Sequence, residues 1–361
     1  MFEPETILIE KDAESFPLTK EILRRFPDHS VVYNVDPGLK LDKMLREKAD
    51  VFGAAKDLLL LSHFKGSFLK RCPGISPGMV CCNYYIINLM SNCIYDCSYC
   101  FLQEFLEDNP FLKAYVNVEE VLEELDAIFK LHPNKNFRVG TGEIADSLAL
   151  DDILPYSDWL VPFFNTRENV VLELKTKSSC VENLLKHDPR NVVVSWSINP
   201  PEIVEREEKF TASLEDRLTS AKLCQEKGFR IGFHFDPIIL FHGWENAYRK
   251  TVDKLFQLLE PNAIAWISLG GFRYHTNLKR IVQGRHPDTI LFDGEFVPSR
   301  DGKYRYLRTL RNQAFETIRG YIKNYSRNIG VYLCMEPKEI WQDVTESLPR
   351  KDSELGKLFV I

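Results

Sequence analysis

The stretch "NCIYDCSYCF", residues 92–101, holds three of the chain's nine cysteines: Cys93, Cys97 and Cys100, spaced C-x3-C-x2-C. It follows directly on an apolar run, "YYIINLM" at 84–90, that reads as a β-strand. Five similar runs come later: 137–142 ("FRVGTG"), 169–175 ("NVVLELK"), 191–197 ("NVVVSWS"), 229–235 ("FRIGFHF") and 263–269 ("AIAWISL"). Helical patterns lie between them. The clearest starts at Asn117, an N-cap with Glu120 three residues on, after which Val118, Val121, Leu122, Leu125, Ile128 and Phe129 share one apolar stripe. Others cover 213–227 and 244–259. Six strand–helix units in succession predict an α/β fold with a parallel sheet, closed into a partial (β/α)6 barrel. In such folds chemistry gathers at the C-terminal ends of strands, which is where the three cysteines stand.

Thiolates are soft ligands that suit zinc or iron–sulfur clusters. A structural zinc site closes with four protein ligands, and the nearest further pair, Cys81 and Cys82, lies beyond a predicted strand. A four-iron cluster held by three cysteines instead leaves one iron open to substrate or cofactor. A zinc ion with a distant fourth ligand, and three unligated core thiols, remain the alternatives at this point.

The chain has 361 residues, 44% hydrophobic and 27% charged, as expected of a globular protein without a membrane span. The start, "MFEPETILIEKD", lacks a basic leader and an apolar core, so a cytoplasmic location is expected. An odd cysteine count with clustering argues for reduced thiols rather than a disulfide framework. The net charge of −6 is uneven: residues 273–327 carry 12 Lys/Arg against 5 Asp/Glu. Such a segment is either a local polyanion-binding face or an internally paired one.

Strands at 5–10 and 30–35, a helix over "PLTKEILRRF" and a third apolar run at 58–61 suggest a small N-terminal α/β unit. The expected organisation is that unit over 1–65, a Cys/Gly/Pro-rich loop over 66–82, a barrel core over 83–270 and a basic C-terminal extension over 271–361.

The C-x3-C-x2-C loop resembles that of the radical S-adenosylmethionine (SAM) enzymes, and "GTGE" at 140–143 resembles their glycine-rich SAM-binding element. The resemblance extends further. "LKAYVNVEEVLEELDAIF", "SWSINPPEIVEREEKFTASLEDRL", "GFRIGFHFDPIILFHGWENAYRKTVDKL" and the opening "ILIEKDAESFPLTKEILRRF" look like the spore photoproduct lyase family, in order, over roughly residues 6–325. This resemblance implies a [4Fe-4S] cluster on Cys93, Cys97 and Cys100, and SAM contacts from Tyr99, Gly140, Gly142, Glu143, Lys177 and Ser197. It implies that "KYRY", Lys303, Tyr304, Arg305 and Tyr306, touches a DNA lesion. It also implies a carbon–carbon lyase that forms a 5′-deoxyadenosyl radical, fed by an electron donor such as flavodoxin or ferredoxin.

Two family features are missing. The thiol that returns a hydrogen atom to the lesion would fall at about Gly140, and a relay tyrosine would stand where this chain has Phe101. Cys81 or Cys82 is therefore a candidate replacement donor, with Tyr99 the one relay residue kept, so Tyr99, Cys81 and Cys82 are the expected catalytic residues; buried apolar thiols are the alternative for Cys72, Cys81 and Cys82. A radical SAM enzyme with a non-DNA substrate, and a non-catalytic metal-containing nucleic-acid binder, are the competing readings. Histidines 63, 234, 242 and 275 are set aside as structural.

Overall fold

The computed structural model describes residues 2–36, 44–45, 47–76 and 78–345. Parts of the N-terminal unit and the end of the C-terminal extension thus lie outside the described residues.

The six expected strands form as Tyr84–Ile87, Phe137–Gly140, Val170–Thr176, Val192–Ser197, Arg230–Ile238 and Ile264–Gly271, parallel and in sequence order within one sheet. Their apolar runs are near-continuous because helices cover the outer face and the barrel interior fills the inner one. Val192, Val193 and Val194 are all fully buried. Two further strands join this sheet. Gly330–Leu333 adds a seventh parallel strand beside Ile264–Gly271, and Leu69–Arg71 pairs antiparallel with Tyr84–Ile87 at the other edge. Leu69–Arg71 falls in the segment expected to be a loop, and a run of three residues carries too little periodicity to mark a strand.

The run "YYIINLM" is shared between two sheets. Its first half is the first barrel strand. Its end, with Ser91, forms Met90–Ser91, which pairs antiparallel with Leu112–Tyr115. That strand in turn lies parallel to Leu58–Ser62, the third strand of the N-terminal unit after Thr6–Ile9 and Ser30–Val32. The cysteine loop therefore leaves from a point tied to both sheets, and one apolar core runs through both, from Ile7 to Val344.

Helices form over Pro17–Arg25, Val118–Leu131, Leu214–Lys227 and Trp244–Leu258, as the spacing predicts. Ser213 caps its helix by accepting the Asp216 N–H at 3.1 Å. Asn117 stands at its N-cap position, but its side chain does not cap. It accepts the Phe64 N–H at 3.0 Å and donates to the Phe64 carbonyl and to Glu120, tying the helix to the N-terminal unit.

The barrel interior holds a buried polar network. Arg138 pairs with Glu173 (Nη2 to Oε2, 2.6 Å). The other carboxylate oxygen accepts from Ser195 (2.7 Å), His234 Nε2 (2.9 Å) and Trp266 Nε1 (2.9 Å). A carboxylate only accepts, so His234 carries its hydrogen on Nε2, and Nδ1 accepts from the Ser268 hydroxyl at 2.6 Å. Burial, helped by the Lys175 cation, pushes His234 down to about 4. The folded state thus keeps a neutral imidazole that the unfolded chain protonates below about pH 6.5. Stability from this group is complete above pH 6.5 and is lost as pH falls towards 4, by roughly 3 kcal/mol in all. Urea unfolding at pH 7, 5.5 and 4.5 should show that slope, and His234→Gln should flatten it. An unchanged slope in the variant would remove His234 as its source.

Candidate active site

The loop 92–101 has almost no regular structure of its own, so its shape comes from neighbours. Asn92 starts it at φ +69°, a left-handed backbone that asparagine tolerates, and its amide fixes both sides of the turn: Nδ2 donates to the Pro110 carbonyl (2.6 Å) and Oδ1 accepts the Cys93 N–H (2.8 Å). Asp96–Cys97 pairs antiparallel with Glu208–Lys209. The Ser98 N–H donates to the Glu207 carbonyl at 2.8 Å. Gln103 donates to the carbonyls of Cys97 (3.3 Å), Ser98 (2.9 Å) and Cys100 (3.2 Å), and is itself held by Arg285 at 2.5 Å. Lys56, from the N-terminal unit, bonds the Tyr95 carbonyl and pairs with Asp96.

A cavity of about 550 Å³ opens at the C-terminal strand ends. Cys93, Cys97 and Cys100 line one side. Gly142, Glu143, Lys177 and Ser197 line it from the ends of the second, third and fourth barrel strands. Gly142 cannot be larger: an added Cβ would stand 2.8 Å from the Lys175 carbonyl oxygen and 2.9 Å from Ser147 Oγ. Asp146 then fixes Lys177 by accepting its N–H at 2.7 Å, along with the Thr176 hydroxyl at 2.6 Å.

Tyr99 also lines the cavity, with the Lys177 ammonium 5.6 Å from its ring centre. Its hydroxyl donates to Glu208 at 2.5 Å. The Glu208 carboxylate accepts from Asn199 (2.9 Å) and pairs with Arg217 at 2.6 Å, both side chains being fully buried. The same guanidinium donates to the Ser197 carbonyl at 2.8 Å. One buried ion pair thus places Tyr99 and Ser197 together. Burial works against the Glu208 carboxylate, yet Arg217 and Lys177 hold it below the usual value.

Burial pushes the Cys93 thiol up to about 12 and raises Cys97 and Cys100 as well, so thiolates here require a cation to hold them. Among the described residues no three His, Cys, Asp or Glu side chains converge on a single ion. Three thiols on one cavity wall are a soft donor set that suits an iron–sulfur cluster, whose irons take separate thiolates at separate corners.

Other expected residues fall differently. Gly140 lies off the cavity, and a Cβ there would stand 1.6 Å from Tyr84 Oη. Cys81 and Cys82 do not line the cavity; Cys82 packs against the hydrophobic core. Lys303 lines it, and Tyr304 stacks on Tyr274 (5.5 Å, 16°), which lines it too. Arg305, 1% exposed, pairs with Asp301 at 2.6 Å, and Tyr306, 3% exposed, accepts the Leu240 N–H. Five arginines of the basic segment are paired, mostly with carboxylates outside it. Arg273, Arg285, Arg305, Arg308 and Arg311 pair with Asp236, Asp50 and Asp96, Asp301, Asp343, and Glu336. Five of the segment's twelve cations are thus held in ion pairs, while Arg280, Arg300 and Arg327 are exposed. Lys175, Asp146, Glu208 and Arg217 were missed, because each sits among similar polar residues with nothing in the spacing to mark it.

The family model for spore photoproduct lyase matches residues 2–329. The chain belongs to that family. It is 25% identical over 347 residues to the spore photoproduct lyase of Bacillus subtilis (strain 168), spanning 91% of this chain and 97% of that one. The Clostridium acetobutylicum lyase is 23% identical over 304 residues, 83% and 88% of the two chains. A solved spore photoproduct lyase complexed with dinucleoside spore photoproduct superposes with a TM-score of 0.79 at 23% identity, over 92% of this chain and 98% of that one. A variant lyase with bound SAM and dinucleoside spore photoproduct gives the same TM-score. These structures share the fold of the family. Within it, the Glu208–Arg217 pair should be indispensable here. Glu208→Gln keeps the volume but strands a buried guanidinium, so the chain should lose about 3–5 kcal/mol of stability in urea unfolding. A loss under about 1 kcal/mol would mean that Arg217 finds another partner.

Proposed function

We propose that this chain is a radical SAM lyase that opens a thymine lesion in DNA. The observation that carries the reading is one cavity in a family member joining three thiols, Gly142–Glu143, Lys177 and Ser197. In this reading Cys93, Cys97 and Cys100 hold a [4Fe-4S] cluster with one iron open. Glu143 accepts the ammonium of SAM, and Lys177 pairs with its carboxylate. Tyr99, pinned by Glu208, packs beside the adenine, and Ser197 stands at the same end. Bound together, cluster and SAM supply a 5′-deoxyadenosyl radical. The residues around them position the lesion and keep water out. Lys303 attracts the backbone phosphate, and the Tyr274–Tyr304 stack gives a base-sized aromatic face beside it. A low-potential carrier such as a flavodoxin or ferredoxin reduces the cluster.

A second reading keeps this chemistry on another substrate. Gly140 and Phe101, which replace the family's hydrogen donor and relay, favour it.

Anaerobic reconstitution separates the two. The holoenzyme should load about four irons per chain, and with dithionite and SAM it should release 5′-deoxyadenosine. Given a spore-photoproduct dinucleotide it should also release the repaired dinucleotide. Iron that fails to load, or SAM that stays intact, rules out both readings. Deoxyadenosine with an intact lesion selects the second. Gly142→Ala should weaken SAM binding about tenfold or more, about 1.4 kcal/mol, by equilibrium dialysis of the holoenzyme. Unchanged affinity would move SAM away from this strand end.

A further inference from the structure

A three-stranded antiparallel sheet stands beside the cavity, with Tyr304–Tyr306 between Arg273–Tyr274 and Phe296–Pro298. Its register sets Arg273 opposite Arg305 and Tyr274 opposite Tyr304. Carried one step further, it sets His275 opposite Lys303, and both of these line the cavity. Side chains alternate between the two faces of a strand. Arg273 and His275 therefore share one face, with Arg305 and Lys303 across from them.

Two of these four are already spent. Arg273 pairs with Asp236 at 3.0 Å, and Arg305 grips Asp301 through both Nη atoms, at 2.6 and 2.8 Å. The last rung has no carboxylate. Among the described residues, neither Lys303 Nζ nor the His275 ring makes an ion pair or a hydrogen bond. Asp301 accepts the Lys303 backbone N–H at 3.4 Å but spends its charge on Arg305. Lys303 is half-buried, and burial, with the Arg273 charge near it, works against its ammonium. An anion placed there would offset both.

The His275 ring is held towards the same place. Gly302 takes φ +79° and closes a turn from Ser299, its N–H donating to the Ser299 carbonyl at 3.0 Å. A Cβ on Gly302 would come within 3.9 Å of His275 Cε1 and 4.0 Å of Nδ1, so the ring lies over the residue next to Lys303. His275 stands at the N-cap position of the helix Thr276–Arg285, yet its side chain makes no cap bond. The exposed imidazole thus keeps an N–H to donate into the cavity. The acids that line the cavity belong to other elements. Glu143 and Asp146 follow the second barrel strand, and Glu104 lies in the short helix Leu102–Phe105.

We propose that His275 and Lys303 clamp the phosphodiester that joins the two thymidines of the lesion. The ring gives one N–H to the phosphate oxygens and the ammonium gives one or more. The clamp rests on the lesion-lyase reading and deepens it. It selects a phosphate-linked lesion over the free dinucleoside, and it turns a histidine that the sequence leaves as structural into a specificity residue.

Reconstituted holoenzyme with SAM and dithionite is given either the phosphate-linked spore-photoproduct dinucleotide or the dinucleoside without the phosphate, and repair of each is followed. The wild type should prefer the linked substrate in kcat/KM by about tenfold or more, the worth of one or two charged hydrogen bonds. His275→Ala and Lys303→Ala should each cut that preference to about threefold or less, and the double variant should abolish it. His275→Gln, which keeps an N–H donor, should recover part of it. Arg280→Ala, in the same helix but outside the cavity, should keep it. A side chain that only supports the fold would lower turnover of both substrates together and leave the ratio unchanged. That outcome, or a wild type with no preference, overturns the clamp while the lesion reading stands. Deoxyadenosine formed with both substrates intact overturns the lesion reading, and the clamp with it.

Discussion

The buried carboxylate of Glu208 is the constraint on which the cavity mouth depends. Its backbone pairs with Cys97, and its side chain takes the Tyr99 hydroxyl, Asn199 and Arg217. Arg217 in turn reaches the carbonyls of Ser197 and Ala212 and the Thr211 hydroxyl. A loop of ten residues without its own ladder cannot hold three thiols in a fixed relation. Here it borrows rigidity from a fully buried ion pair that also sets the end of the fourth barrel strand. Such a pair adds little net stability, because both groups lose their hydration. What it supplies is geometry: Glu208 and Arg217 satisfy each other in only one arrangement, and that arrangement brings Tyr99 and Ser197 to the same cavity.

Beneath the mouth, Glu173 does for the barrel interior what Glu208 does for the loop. The two networks are coupled through Lys175. Burial works against its ammonium, but Glu143 above and Glu173 below keep it charged. Burial, with this permanent cation beside it, keeps His234 neutral within the barrel. Lys175, Glu173 and His234 thus keep one charge state through the neutral range, which suits chemistry that moves hydrogen atoms rather than protons.

The barrel was legible because parallel strands buried on both faces write long apolar runs, and because the cysteine spacing marks a strand end independently. The N-cap position of Asn117 was legible, while the use of its side chain was not: a cap and an inter-element tie need the same residue. Charge was the least legible feature. Four arginines of the 273–327 segment find carboxylates outside it, such as Asp50 for Arg285, and a local charge count cannot see them. Glu208 was hidden for the same reason, being one of several glutamates in "EIVEREEKF". What distinguishes it is the partner, Arg217, and that partner is set by tertiary structure.

The missing thiol near position 140 also looks different in three dimensions. From the sequence, Gly140 is a deletion of function: a donor position left empty. In the structure the space is filled. A Cβ on residue 140 would lie 1.6 Å from Tyr84 Oη, so a cysteine there and the present position of the Tyr84 phenol exclude each other. The two arrangements are alternatives for the same volume. A phenol and a thiol thus compete for one volume, and in this chain the phenol carried by the first barrel strand holds it. Phe101, 42% exposed at the mouth, brings no O–H to the loop and forms an apolar rim instead.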